Sequence, residues 1–291
     1  MRTTVMCRRL TRMISLTLTV ALWVGVASAQ PPPAGLSSRN DLSIMAREPF
    51  QIFDNLYFVG TGEVASYVLT TSDGSILIDT LWDLDGFTEY LLGNIREVGL
   101  DPLDIKYVLI LQGHRDHYGG APALQGIIDA QFGTAEEDRK LIVADFGDYA
   151  PRIDFVIEEG DTLTLGDTTI NFELTPGHTP GTTSLMFPVY DQGTEHLAYY
   201  HGGPALRTDD PEVIRVFLED LERIKRIPGI DVQIINHFDI HATGADNLFA
   251  RAARLADRQP GEPHPWVAPD DFHSWLDEMI ADTRQQLEEA E

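Results

Sequence analysis

Residues 107–121, YVLILQGHRDHYGGA, constrain this chain more than any other stretch. Four consecutive apolar residues, 108–111, read as a buried strand, and Gly119-Gly120 as the place where the backbone turns away. Alternation along the strand puts Gln112 and His114 on one side, and the turn that follows lets Asp116 and His117 face a point beside them. Imidazole nitrogens with one carboxylate oxygen are the donors that suit Zn2+, whereas Ca2+ and Mg2+ want an all-oxygen cage. The competing reading is a surface loop that is merely polar. It would leave His and Asp crowded at a strand end with no ion to hold them.

The segment resembles the H-x-H-x-D-H signature of the metallo-β-lactamase superfamily. Gln112 stands where the first His is expected, and His114, Asp116 and His117 match the rest. A Gln at that place is known from a branch of the third subclass of metallo-β-lactamases. The resemblance implies an α/β fold, the metallo-β-lactamase-like αββα sandwich, with two facing mixed β-sheets and helices outside.

The chain before and after the motif fits that architecture on its own terms. Residues 1–29 carry Arg2, Arg8, Arg9 and Arg12, an apolar run over 14–26 and a closing Ala27-Ser28-Ala29, the pattern of a secretory signal peptide. The apolar run falls short of the roughly 20 residues that span a bilayer, so no stable membrane insertion is expected after cleavage, and the destination is periplasmic or secreted. Arg8-Arg9 resembles a twin-arginine export pair only faintly. Cys7, the one cysteine, lies in the removed segment, so disulfides are excluded and stability must come from a core and bound metal. The 21 basic and 46 acidic residues become 17 and 46 after cleavage, a net charge of −29 that would repel nucleic acid.

Residues 30–48 read as an extended leader and 49–291 as a single catalytic domain. From Phe50 three runs, QIFDNLYFVG, EVASYVLTTSDG and SILIDT, read as an antiparallel meander. Helical spacing follows over 85–98, a strand over 105–111, a helix over 118–130, and short strands over 142–145 and 154–158. A second strand group covers 162–175, 182–189 and 196–200. Helices are expected over 212–226, 245–257 and 270–288, with a strand over 232–236. Two meanders escorted by helices fit two sheets packed face to face.

Outside the first motif, Thr175-Pro176-Gly177-His178-Thr179-Pro180-Gly181 is a loop with little conformational freedom to lose, able to hold His178 in a fixed direction. The resemblance makes His178 a further zinc ligand, and makes His237, at the end of an apolar strand, the residue completing the second metal site, with His241 as its rival. Asp79 closes the strand over 75–79. A carboxylate after three apolar residues is rarely idle in a core, and the resemblance gives it the task of orienting a ligand, against the alternative of a turn cap. The glyoxalase and lactonase branches place an Asp after the strand corresponding to residues 197–200, where this chain has His201-Gly202-Gly203. His201 either aims at the metals, offsetting Gln112, or simply packs. His196, His264 and His273 sit in polar contexts and read as surface residues.

The resemblance then implies two zinc ions per chain, one held by Gln112, His114 and His178 and one by Asp116, His117 and His237. The first site is the weaker, because an amide oxygen is a poorer donor than imidazole. The expected chemistry is zinc-activated water attacking the carbonyl of a cyclic amide or ester, oriented by Asp116 as the catalytic residue. A β-lactam carries a carboxylate beside its ring, and Arg207 with Thr208 is the nearest sequence match for gripping it. The expectation is an exported β-lactamase-like hydrolase of a small-molecule substrate, with antibiotic resistance as its role. The alternatives are a lactonase or other ester hydrolase, and a zinc-binding envelope protein without catalysis.

Overall fold

Strands rich in Val, Ile, Leu and aromatic residues must bury their faces against something, and here they bury them against each other. A computed structural model describes residues 41–203, 205–237 and 248–291 of the chain. The expected signal peptide, the leader up to residue 40 and His241 lie outside the described residues. Seven strands make the first sheet, in chain order across it: β1 (Phe50–Phe53), β2 (Leu56–Phe58), β3 (Tyr67–Thr71), β4 (Gly74–Ile78), β5 (Ile105–Leu109), β6 (Gln131–Ala135) and β7 (Phe155–Ile157). β1 to β4 pair antiparallel, and β4 to β7 parallel. The second sheet has five: β8 (Thr162–Leu165), β9 (Thr168–Leu174), β10 (Thr183–Asp191), β11 (Thr194–His201) and β12 (Ile230–Ile235). Only β12 runs parallel to its neighbour β11.

Alternation sorts the side chains into three layers. Leu109 and Leu111 face inward with Phe58, Tyr67 and Ile78, and meet Phe172, Leu185 and Tyr200 of the second sheet. Val108 and Ile110 face the other way, toward Phe87, Leu91 and Ile95 of α2 (Phe87–Glu97). On the outer face of the second sheet, Met186 and Tyr199 pack on α6 (Pro211–Ile224) and α8 (Pro269–Ala290). The result is the αββα sandwich expected from the sequence. Leu111 is fully buried at its centre, and truncating it to Ala should cost about 2–5 kcal/mol.

Some local expectations fail. The helix expected over 118–130 shrinks to α4 (Ala121–Leu124), followed by a turn over 125–127 and irregular chain up to β6, which begins at Gln131. The strand expected over 142–145 is the interior of α5 (Glu136–Phe146), whose acidic first turn suits a helix N-terminus. β6 itself, QFGTA, is too short and too weakly apolar to announce a strand. The leader ends not extended but in a short helix, Leu42–Met45, N-capped by Asp41. His264 is buried, stacked on Phe53 at 4.1 Å with Nε2 2.9 Å from the carbonyl of Ile52, so it belongs to the core and not to the surface. No helix among the described residues is long and apolar enough to cross a membrane.

Candidate metal centre

The loop after β5 is clamped from both sides. Leu111 N–H donates to Asp79 Oδ1 at 2.9 Å, and Thr183 N–H, at the start of β10, donates to the carbonyl of Leu111 at 2.9 Å. One turn further on, a short helix, Arg115–Tyr118, is anchored by Thr80, whose N–H and hydroxyl both donate to the carbonyl of His117, at 2.7 and 3.0 Å. Gly119 and Gly120 form the expected turn, both with helical backbone angles. They are needed for closeness: a Cβ on Gly119 would lie 2.3 Å from the backbone of Asp83, and one on Gly120 2.3 Å from the carbonyl of Thr80.

His117 and Asp79 are both fully buried, with Nδ1 and Oδ2 2.7 Å apart. Asp79 holds a left-handed backbone (φ 58°), which Asp tolerates better than most residues. Tyr200 donates to the same Oδ2 at 3.1 Å. These contacts spend Nδ1 of His117 and leave Nε2 pointing at the cleft. There it lies 3.1 Å from Nε2 of His237 and 3.6 Å from Oδ2 of Asp116, which is 3.4 Å from the His237 nitrogen. His237 is aimed from the second sheet, its backbone bridged to Val64 while Ala65 N–H donates to the carbonyl of Asn236. Burial pushes the Asp116 carboxyl up, but the imidazoles of His117 and His237 outweigh it and hold it well below the ordinary range. Burial alone would lower His117; Asp116 and Asp79 raise it instead. His237 goes the other way, lowered by burial, so it favours its neutral, lone-pair form.

Beside this cluster, the ring centroids of His114 and His178 stand 4.9 Å apart, edge to face. His178 is set by its loop: Nδ1 donates to the carbonyl of Ala205 at 2.7 Å, leaving Nε2 as a donor atom for a ligand. Burial, reinforced by Arg207, pushes His178 down to about 3; burial also pushes His114 down to about 4, against the pull of Asp116. Both rings are thus neutral lone-pair donors at physiological pH. Gln112 is fully buried, and among the described residues neither its Oε1 nor its Nε2 has a hydrogen-bond partner. A buried amide left so is costly, and a cation on its oxygen would remove part of that cost. The donors present, four imidazoles with one carboxylate and a neutral amide, fit a borderline-soft divalent ion such as zinc.

The remaining expected residues divide. His114, Asp116, His178, His237 and Arg207 line one cleft of about 530 Å3, with Trp82 and Leu141 as its apolar walls. Thr208 is not among its lining residues; it lines a neighbouring pocket with His178 and Arg207 and accepts a hydrogen bond from Asp210 N–H ahead of α6. His201 points to the helix side of its sheet, where Tyr199 Oη lies 2.9 Å from its Nδ1 and Trp275 packs edge-on at 5.2 Å. Strand alternation explains this: Tyr200 faces Asp79, so its neighbours 199 and 201 face outward. Two contributors carried no sequence signal of their own. Tyr200 reads as an ordinary core aromatic, and Asp138 as one acid in the run Glu136-Glu137-Asp138.

Comparison with known proteins bears on the family and the fold. Residues 59–191 match the family model of the metallo-beta-lactamase superfamily. A probable polyketide biosynthesis zinc-dependent hydrolase, BaeB, of Bacillus velezensis is 31% identical over 109 residues, 37% of this chain and 42% of that protein. An uncharacterized protein of Aquifex aeolicus is 36% identical over 93 residues, and the chain spans less than half the length of these curated relatives. Among solved structures, BJP-1, a subclass B3 metallo-beta-lactamase of Bradyrhizobium japonicum, superposes with a TM-score of 0.71 at 28% identity, covering 84% of this chain and 95% of that one. The metallo-beta-lactamase FEZ-1 of Legionella gormanii gives 0.73 at 25% identity, covering 84% and 97%.

Proposed function

We propose, from the premise that the chain belongs to the metallo-beta-lactamase superfamily, that it is a zinc-dependent hydrolase opening the carbonyl–nitrogen bond of a cyclic amide. The observation that carries this is the meeting of Asp116, His117 and His237 within 4.8 Å of one another, beside His114 and His178 in one cleft. His114 and His178 with the amide oxygen of Gln112 would hold one ion, and Asp116, His117 and His237 a second. Zinc bound there supplies a Lewis acid for the carbonyl and brings the pKa of bound water toward neutrality.

The chain's own residues do the rest. Asp116 stays ionised throughout the working pH range, so its carboxylate accepts a hydrogen bond from the incoming water and aims its lone pair at the carbonyl carbon. Arg207, exposed on the rim of the same cleft, is placed to pair with a substrate carboxylate. Trp82 and Leu141 cover the apolar body of a bound ring. A chain exported to the bacterial envelope would meet β-lactams where they act, and the likeness in fold to subclass B3 enzymes supports that substrate class over others. We place the protein in the periplasm or outside the cell for the same reason.

The test is a substrate panel under metal control. Nitrocefin or a carbapenem should be turned over by the purified chain, with activity abolished by chelation and restored by zinc. Turnover of acyl lactones with β-lactams inert would move the assignment to an ester hydrolase. Tight zinc uptake without any hydrolysis would make it a metal-binding envelope protein.

A further inference from the structure

We propose that Asp138 is a positioning residue of the metal centre: its buried carboxylate ties the loop bearing Gln112 and His114 to the loop bearing His178, and so fixes the ligands of one ion relative to each other. The inference rests on the metal-binding reading above and extends it to a residue outside the ligand set.

Asp138 sits in the first turn of α5, fully buried, and turns its side chain away from the helix. Its Oδ2 accepts a hydrogen bond from the Thr179 hydroxyl at 2.7 Å, and its Oδ1 one from Gly181 N–H at 2.8 Å. Thr179 follows His178 directly in the chain. On the other side lies Gly113, the residue between Gln112 and His114. A Cβ at Gly113 would come within 3.2 Å of Cγ of Asp138, and one at Gly181 within 2.8 Å. Both loops therefore press their backbones onto the same carboxylate, and neither has room for a methyl group.

Burying a carboxylate is expensive, and a helix can begin without one in its interior. If filling space were the only task, an apolar side chain would serve. What Asp138 adds is direction, because an acceptor with two oxygens holds donors from a loop at fixed angles. It does not line the cleft, so it is not placed to exchange protons with a substrate. Its effect must pass through His178, His114 and Gln112. Groups that orient metal ligands in this way typically change affinity by about ten- to a hundredfold when removed.

Zinc titration of the purified full chain against a chromophoric chelator tests this. Asp138→Ala should weaken one of two bound ions by about ten- to a hundredfold and leave the other unchanged. On a His178→Ala background the same substitution should add no further loss, because both act on one ion. Thr179→Val is close to Thr in size and removes one donor to Asp138, along with the contact to the Thr182 hydroxyl. It should weaken the same ion by a smaller factor, and it gives an answer even where Asp138→Ala fails to fold. Equal weakening of both ions, multiplying losses in the double variant, or unchanged affinity in Thr179→Val and Asp138→Ala would overturn the proposal. A wild-type chain that takes up no zinc would instead sink the metal centre itself.

Discussion

Oδ2 of Asp79 receives both the Nδ1–H of His117, at 2.7 Å, and the hydroxyl of Tyr200, at 3.1 Å, so one oxygen just past β4 fixes a histidine on the short helix Arg115–Tyr118 and a tyrosine of the second sheet. Its other oxygen is held by Leu111 N–H at 2.9 Å. Asp79→Asn keeps the size of the side chain but turns one acceptor into a donor facing another donor. Zinc affinity at the His117 site should fall by about ten- to a hundredfold, read by chelator competition. Stability should fall by about 1–3 kcal/mol, read by urea unfolding. An affinity equal to wild type would mean that Asp79 caps its turn and nothing more.

Gln112 leads to a prediction of opposite sign. Gln112→His replaces an amide oxygen with an imidazole nitrogen at a buried position with no competing partner among the described residues. One ion per chain should bind more tightly by about tenfold or more, since imidazole is the better zinc donor. Isothermal titration of both forms decides it: identical affinities would remove Gln112 from the ligand set.

The pattern of these two residues shows what a sequence can and cannot disclose. Gln112, His114, Asp116 and His117 are neighbours in the chain, so the sequence shows them together, although β5 ends at Leu109 and strand alternation does not reach them. Resemblance to a family supplied the partners His178 and His237, which lie 61 and 120 positions beyond His117. Asp138 and Tyr200 escaped because their roles come from what folds against them, not from their own neighbourhoods. His201 shows the converse: its place beside two glycines drew attention, yet the two-residue period of β11 sends it to the opposite face. The residues over 142–145 suggest a strand but belong to α5, because an apolar pair looks the same in a strand and on one face of a helix.

Arg207 should separate binding from chemistry. It is an exposed cation lining the cleft, near enough to His178 and His114 to lower both. Arg207→Ala should raise KM for a β-lactam by about tenfold and leave kcat within about twofold, the signature of lost uniform binding. A fall in kcat with KM unchanged would contradict its role as a grip for the substrate carboxylate.

Asp220 on α6 provides a pH test remote from the metal cluster. Burial, with Glu159 and Glu219 nearby, pushes its carboxyl up to about 7, while Arg223 is shared among Asp220, Glu173 and Glu159. The folded value exceeds the unfolded one of about 3.9, so the folded chain binds this proton more tightly. Its contribution to stability is complete below about pH 4 and is lost as pH rises through about 7. The unfolding free energy of wild type minus that of Asp220→Asn should therefore decline from pH 4 to pH 8. A difference that stays level or rises would contradict the shift.

His117 follows β5 of the first sheet and His237 follows β12 of the second, 120 residues apart in the chain, and Cys7 is the only cysteine in the sequence. An ion shared by the two histidines would act as a reversible cross-link, closing a long loop in a protein that has no thiol pair to do so. Metallation would then report that both halves of the sandwich have docked: a nascent chain cannot complete the clasp until residue 237 has been made, and stripping the ion should open the seam between the sheets to proteases before it melts either one.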